Sequence, residues 1–331
     1  MSLRAGYPPA QPVPRKAEPL ISLVVPCYNE EAAVGAFMEE ADRILGGHRL
    51  EFVFINDGSR DGTLALLLAA ARRDARVRVI DLSRNFGKEA ALTAGLDHTR
   101  GDVVIPMDAD LQDPFEIVPI LIAKWRQGYD VVNAYREHRN SDTIAKRQTA
   151  KWFYKVFNGM ADNPIPENVG DFRLMDARVV ETLRGLPERS RFMKGLFAWV
   201  GYSTAEVAYV RPPRTNGTGK FNFWRLWLLA LEGLFNFSTA PLRVWGYLGF
   251  AVAAIAFLFA IVIIGKTVIF GRDMPGYASL LTIVLFLGGV QLLTLGIIGE
   301  YLSRVFAEVK GRPIYIVDRI YERNADADDA G

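Results

Sequence analysis

Two uncharged apolar runs constrain this chain more than any other feature. Val244–Gly265 is 22 residues long and Tyr277–Gly299 is 23, and neither contains an acidic or basic side chain. As helices, both are long enough to cross a hydrocarbon core, so the sequence predicts two transmembrane helices within 241–303. The connector Lys266–Gly276 is short and carries only Lys266, Arg272 and Asp273. Arg225 and Arg243 precede the first run, and Arg304, Lys310, Arg312 and Arg319 follow the second. That bias puts both flanks in the cytoplasm and the connector outside. Upstream, Phe221–Phe237 is dominated by Phe, Trp and Leu, with Asn222, Arg225, Glu232 and Asn236 on one narrow stripe. This predicts a juxtamembrane helix over 216–240 lying in the interface, Trp224 and Trp227 at headgroup depth; the alternative is a helix buried between protomers.

The rest of the chain follows a different rule. From Leu20 to about Ala134, short apolar runs alternate with helical patterns. Ile21–Pro26, Glu51–Asn56, Val77–Leu82, Val103–Met107 and Tyr129–Ala134 read as strands. Between them, a helix with Asn29 as N-cap buries Val34, Phe37, Met38, Ala41, Ile44 and Leu45 and stops at Gly46-Gly47. Further helices are predicted over Gly62–Arg73, Lys88–His98 and Pro114–Gln127. Such alternation predicts an α/β domain over 20–215, a mostly parallel sheet with helices on both faces. Residues 1–19 are Pro-rich and polar and read as a disordered tail. Residues 304–331 form a tail in which Pro313–Asp318 reads as a short strand, needing a sheet edge in its own domain or a neighbour's. Half of the 331 residues are hydrophobic and the net charge is +2, which gives no field suited to nucleic acid. The single cysteine, Cys27, cannot form an intrachain disulfide.

In parallel sheets ligands bind at the carboxyl ends of the strands. Those ends here are polar: Tyr28-Asn29-Glu30, Asn56-Asp57-Gly58-Ser59, Ser83-Arg84-Asn85, Asp108-Ala109-Asp110 and Tyr135-Arg136. The sequence argues against a dinucleotide-binding turn, because Pro26–Glu31 after the first strand has no glycine to admit a pyrophosphate. Asp108 and Asp110 stand two apart, so in an extended backbone their carboxylates share a side. With the amide of Gln112 they suit a hard divalent cation completed by substrate phosphates.

The motifs Val25-Pro-Cys-Tyr-Asn-Glu-Glu, Asn56-Asp-Gly-Ser, Arg84-Asn-Phe-Gly-Lys, Asp108-Ala-Asp-Leu-Gln-Asp-Pro, Gly170-Asp-Phe-Arg-Leu and Arg214…Gly219-Lys220-Phe221 occur in order. Together they resemble the family 2 inverting glycosyltransferases with a GT-A fold, and the two apolar runs point to the polyprenyl-phosphate branch. The two-span layout is most similar to the bactoprenol (undecaprenyl-phosphate) glucosyltransferases, and dolichyl-phosphate mannose synthases are also in that branch. Two departures are Asn56, where many relatives have a second aspartate, and Thr218-Gly219-Lys220, where a Ser-Lys pair is commoner.

The resemblance implies a sugar, glucose from UDP-glucose, moved onto undecaprenyl phosphate with Mg²⁺ or Mn²⁺, at a bacterial inner membrane with the catalytic domain cytoplasmic. It implies Asp110 and Gln112 as metal ligands, with Asp108 near the ribose or the metal. Asp57 would read the base in a pocket walled by Pro26 and Tyr28, with Glu30, Lys88 and Arg84 as further contacts. Arg136, Arg139, Arg214 and Lys220 would hold the lipid phosphate or the leaving diphosphate. Asp171 aligns with the family's general base. A phosphate monoester has its second pKa at about 6 and has little proton to give up, so Asp171 is read here as orienting the sugar or a cationic side chain. Alternatives are another sugar on the same lipid (GDP-mannose, UDP-GlcNAc or aminoarabinose donors) and a silent nucleotide-sugar-binding subunit. Processive synthases are set aside because no Gln-x-x-Arg-Trp motif occurs. A homo-oligomer is expected from the C-terminal strand.

Overall fold

The computed structural model describes residues 14–136, 169–210 apart from 187, 190 and 192, 240–270 and 276–323. In chain order the elements are β1 (Leu20–Cys27), α1 (Val34–Leu45), β2 (Arg49–Asn56), α2 (Thr63–Arg73), β3 (Val77–Leu82), α3 (Lys88–Asp97), β4 (Val103–Pro106), α4 (Val118–Arg126), β5 (Val131–Arg136), β6 (Val169–Asp176), α5 (Ala177–Arg184), α6 (Met193–Trp199), β7 (Thr204–Tyr209), α7 (Ala240–Phe270), α8 (Tyr277–Lys310) and β8 (Val317–Glu322). The strands form one sheet in the order β7-β5-β6-β4-β1-β2-β3-β8. Neighbours are parallel from β4 through β1 and β2 to β3, and between β5 and β7. β6 runs against β4 and β5, and β8 against β3.

Because side chains alternate across a strand, β1 feeds two cores. Leu23 and Val25 join Phe37, Leu67, Phe115 and Trp125 on one face, while Val24 joins Ile55, Ile80 and α3 on the other. Burying each such side chain is worth roughly 1.5–3 kcal/mol. α3 lies nearly flat against the sheet, every residue from Ala90 to Leu96 being buried. Gly95 permits that approach: a Cβ there would come within 2.4 Å of Val24 Cγ1 and 2.6 Å of Ile55 Cδ1. Through this packing, the first residue of α3, Lys88, is fixed at the carboxyl edge of the sheet.

The tail predicted as disordered over 1–19 needs correcting at its inner end. Arg15 is buried, paired with Asp130 at 2.7 Å and with Asp176, and its guanidinium lies 5.1 Å from the Trp125 ring centre. Lys16 pairs with Asp102 at 2.7 Å, and Arg126 donates to the Ala17 carbonyl. Proline-rich composition weakens the case for regular structure but does not prevent one cation from filling an acidic pocket.

The C-terminal strand is also displaced. It begins at Val317 rather than Pro313 and pairs with β3 of its own chain. The edge it needs is therefore met internally, which removes the strand-based reason for an oligomer.

α7 and α8 cover both apolar runs as long helices, and α7 continues through Lys266 to Phe270. Large apolar side chains such as Phe250, Phe257 and Leu292 stand exposed on them. Among the described residues, Phe286–Lys310 is long and apolar enough to cross a membrane, and a shorter apolar stretch, Gly249–Phe259, lies in α7. α8 ends at Gly311, whose φ of +66° is the left-handed cap that favours glycine. Its last turn and the segment after it are tied to the α/β domain: Glu308 accepts from the Arg189 backbone N–H at 2.9 Å, and beyond the helix the Tyr315 hydroxyl donates to Asp97 at 2.7 Å. Except for residue 240, the helix predicted over 216–240 lies outside the described residues.

Candidate active site

A cleft of about 410 Å³ opens at the carboxyl edge, lined by Pro26, Tyr28, Glu30, Asp57, Lys88, Asp108 and Asp110 among others. Seven of the residues predicted from the sequence thus come together. They arrive from several strand ends: β1 carries Pro26 and leads into Tyr28 and Glu30, β2 leads into Asp57, β3 leads through its loop to Lys88 at the start of α3, and β4 leads into Asp108 and Asp110.

Local backbone chemistry shapes the walls. Asn29 does not cap α1, which starts later, at Val34. It takes φ +57°, a value asparagine tolerates. Its side chain instead accepts from the Arg60 N–H at 2.8 Å, stitching the β1 loop to the β2 loop. Asp57 is buried, with its two oxygens accepting from the N–H groups of Phe86 at 2.7 Å and Gly87 at 2.9 Å. It therefore holds the β3–α3 loop in place as well as lining the cleft. Gly58 has φ +64°, and a Cβ there would meet the Asn85 nitrogen at 2.5 Å, so both conformation and space demand glycine. Arg84 stacks over Phe86 at 4.0 Å and donates to the Asn85 carbonyl, and it does not line the cleft.

The expected acidic pair is present, but the backbone carrying it turns instead of extending: Leu111 takes φ +58° and the Asp110 carboxylate accepts from the Gln112 N–H at 3.2 Å. Both carboxylates still face the cleft. Gln112 itself is buried and is not among the residues lining the cleft, and its Oε1 has no hydrogen-bond partner among the described residues. Glu30 is held above the usual carboxylate range, first by burial and then by repulsion from Asp110, Asp108 and Asp61. Cys27, at the foot of the cleft, is pushed well up by burial and by Glu30, so the thiol stays protonated.

Lys88 is the contact that sequence reasoning undervalued. Its Nζ lies 2.6 Å from Asp108 Oδ1 and 2.9 Å from Asp171 Oδ2. Burial lowers the lysine, but Asp171 and Asp108 more than offset that, and it sits above its ordinary value. The ammonium thus draws Asp171, on β6, into the same site as the β4 aspartates. Two residues further along β6, Arg173 is buried over Phe197 at 4.0 Å and pushed down to about 10 by burial, against the pull of Asp171 and Glu89. No periodicity in the sequence marks the Lys88 bridge, because its partners are 20 and 83 positions away. The side chain of Arg136, and Arg139, Arg214 and Lys220 entirely, lie outside the described residues.

The donor set fits a hard divalent cation. It consists of oxygens, two carboxylates on one turn, and the next side chain but one, Gln112, has a buried amide oxygen without a hydrogen-bond partner among the described residues. Among the described residues no group of three His, Cys, Asp or Glu side chains is placed to chelate a metal unaided. That agrees with a cation that binds one or two carboxylates and completes its shell with water and substrate phosphate.

Comparison with known proteins adds an independent line. The signature of glycosyl transferase family 2 matches residues 22–184, and that of the GtrB C-terminal hairpin matches residues 240–305. The bactoprenol glucosyl transferase of Shigella phage SfII is 52% identical over 306 residues, spanning 92% of this chain and 99% of that one. An uncharacterized glycosyltransferase of Synechocystis, sll0501, is 50% identical, spanning 91% of this chain and 95% of that one. A solved mannosyltransferase from Pyrobaculum calidifontis, in complex with GDP-Man and Mn²⁺, is 17% identical with a TM-score of 0.45, spanning 93% of this chain and 89% of that one.

Proposed function

This chain belongs to glycosyl transferase family 2, and from that premise we propose that it moves glucose from UDP-glucose onto undecaprenyl or another polyprenyl phosphate at a membrane surface. The observation that carries the reading is the 52% identity to the phage bactoprenol glucosyl transferase, which runs through both the α/β domain and the helical hairpin. The exposed apolar side chains of α7 and α8 support membrane anchoring by both helices, with the hairpin's flanks and the cleft on the cytoplasmic side.

The reaction joins a phosphate oxygen of the lipid to the anomeric carbon of the sugar and breaks the bond from that carbon to the diphosphate. The nucleoside diphosphate leaves with the bonding electron pair, and charge builds on its oxygens. A divalent cation held by Asp110, Asp108 and the Gln112 amide would act as a Lewis acid toward that charge. Mg²⁺ and Mn²⁺ both suit this oxygen set.

The protein's own residues position the reactants. Pro26, Tyr28 and the Asp57-anchored loop wall the nucleotide. Asp171 orients rather than deprotonates: its carboxylate is engaged by Lys88 at 2.9 Å, and a largely dianionic acceptor offers it no proton to remove. Arg136, Arg139, Arg214 and Lys220 supply cations for the lipid phosphate. Catalysis is then mostly positioning and charge stabilisation.

The test is direct. Membranes carrying the full chain receive undecaprenyl phosphate and a panel of radiolabelled UDP-glucose, GDP-mannose and UDP-GlcNAc. Label should enter the lipid from UDP-glucose; exclusive transfer from another donor overturns the sugar, and no transfer from any overturns the acceptor.

A further inference from the structure

The Lys88 bridge has a consequence for how the cleft loads. Its ammonium occupies one oxygen of Asp108, a carboxylate the cation reading also requires, while holding Asp171 from the other side. The contact is built into the fold. α3 is buried along its length and cannot slide, and Glu89, the next residue, accepts from the Met193 N–H at 3.0 Å. The lysine side chain is about half exposed, so it can swing even though its backbone cannot.

We propose that Lys88 is an internal counter-cation that competes with the divalent ion for Asp108 and yields it when a nucleoside diphosphate arrives. A cation entering alone must displace the ammonium from Asp108 and leave it beside a divalent ion, with Asp171 as its remaining partner. A cation entering with a diphosphate does not, because the diphosphate oxygens give the ammonium a new partner while Asp171 keeps its hold. Cation and nucleotide therefore bind cooperatively, and the coupling is reciprocal. Lys88 is in this respect a positioning residue that sets the order of loading: free cations are kept out, and the nucleotide brings its own.

The inference rests on the reading of Asp108 and Asp110 as the cation site, and its test separates the two. Free Mn²⁺ is titrated by its electron paramagnetic resonance signal against the purified full chain in detergent, with and without UDP. Wild type should bind Mn²⁺ weakly alone and about tenfold more tightly with UDP. Lys88→Met should bind Mn²⁺ alone about tenfold more tightly than wild type and show a smaller gain from UDP, the remainder coming from the diphosphate's own oxygens on the ion. Lys88→Arg, which keeps the charge, should stay close to wild type without UDP. Arg84→Met, which removes a nearby charge that does not touch Asp108, should shift Mn²⁺ affinity little.

Unchanged Mn²⁺ affinity in Lys88→Met overturns the competition, as does an equal tightening in Arg84→Met, which would mean a general field effect. If neither wild type nor Lys88→Met binds Mn²⁺ even with UDP, it is the cation site itself that fails.

Discussion

At the amino edge of the sheet, Asp130 and Asp176 are enclosed by Arg15, Arg178, Ser203 and the Trp125 N–H, which donates to Asp176 at 2.7 Å. At the carboxyl edge, Glu30, Asp108 and Asp110 line a cleft whose lining residues include one cation, Lys88. The two carboxylate groups respond in opposite directions. Burial alone would raise Asp130, yet Arg15, Ser203 and Arg178 bring it below the usual range. Burial raises Glu30, and Asp110 and Asp108 raise it further. Residue type does not separate these sites; satisfaction does. A carboxylate cluster with every charge answered is a structural lock. One left short of positive charge is a place where a ligand is expected to supply it.

The largest effect should come from opening the lock. Arg15→Ala takes the enclosed cation from Asp176, which is buried, and from Asp130, which is partly buried; Arg178 still pairs with both, so the cost sits toward the lower end of the about 3–5 kcal/mol for losing one partner of a buried pair. The unfolding midpoint of the full chain in detergent should fall, with the sugar-transfer rate per folded molecule unchanged at a permissive temperature. An unchanged midpoint would mean that the tail adds nothing to the fold.

Asp110→Ala should act the other way round. Transfer to the lipid should drop by roughly 10²–10³-fold, the scale for losing one preorganised charge-stabilising group, while the unfolding midpoint holds or rises. Comparable loss of stability in this variant would erase the contrast between the edges.

A smaller change is expected at Gly58. Alanine there must adopt a positive φ and push against Asn85, at a cost of about 1–3 kcal/mol, and the displaced β3–α3 loop should weaken UDP binding. Calorimetry on Gly58→Ala measures both effects.

The smallest effect is one of pH. Asp130 has a lowered folded pKa, so its contribution is present above the ordinary carboxylate value and is lost as pH falls through the lowered one. Glu30 has a raised folded pKa, so its sign is reversed: stability is fullest below its unfolded value and is lost as pH rises through the folded one. Glu30→Gln should therefore raise stability at neutral pH, by less than about 1 kcal/mol for a half-exposed group. The gain should disappear below the ordinary glutamate range. A gain independent of pH would point to packing instead.

Much of this architecture was legible in the sequence, since strand and helix follow from hydrophobic period and the cleft follows from polar strand ends. Val77–Leu82 is found as predicted, and the other strands and helices predicted within the described residues overlap the observed ones. What escaped depends on partners distant in sequence. Arg15 looked like part of a loose tail because Asp130 and Asp176 are more than a hundred positions away. β8 was misplaced by four residues because its register is set by β3, not by its own pattern. Lys88 read as an ordinary loop charge, and only the antiparallel entry of β6 brings Asp171 to it. Asn29 is a residue type suited to a helix cap, but its side chain instead accepts from the Arg60 backbone N–H on the loop after β2. Local chemistry is written locally, whereas the pairing of charges is written in topology.

Everything proposed for the cleft turns on a divalent cation at the carboxyl edge that enables sugar transfer to a polyprenyl phosphate. The most direct measurement follows radiolabelled glucose from UDP-glucose into undecaprenyl phosphate with purified wild-type chain before chelation, after chelation, and after Mn²⁺ or Mg²⁺ is restored. The account predicts that labelled lipid formation stops on chelation and returns with the added ion. Undiminished transfer in the presence of chelator would contradict it.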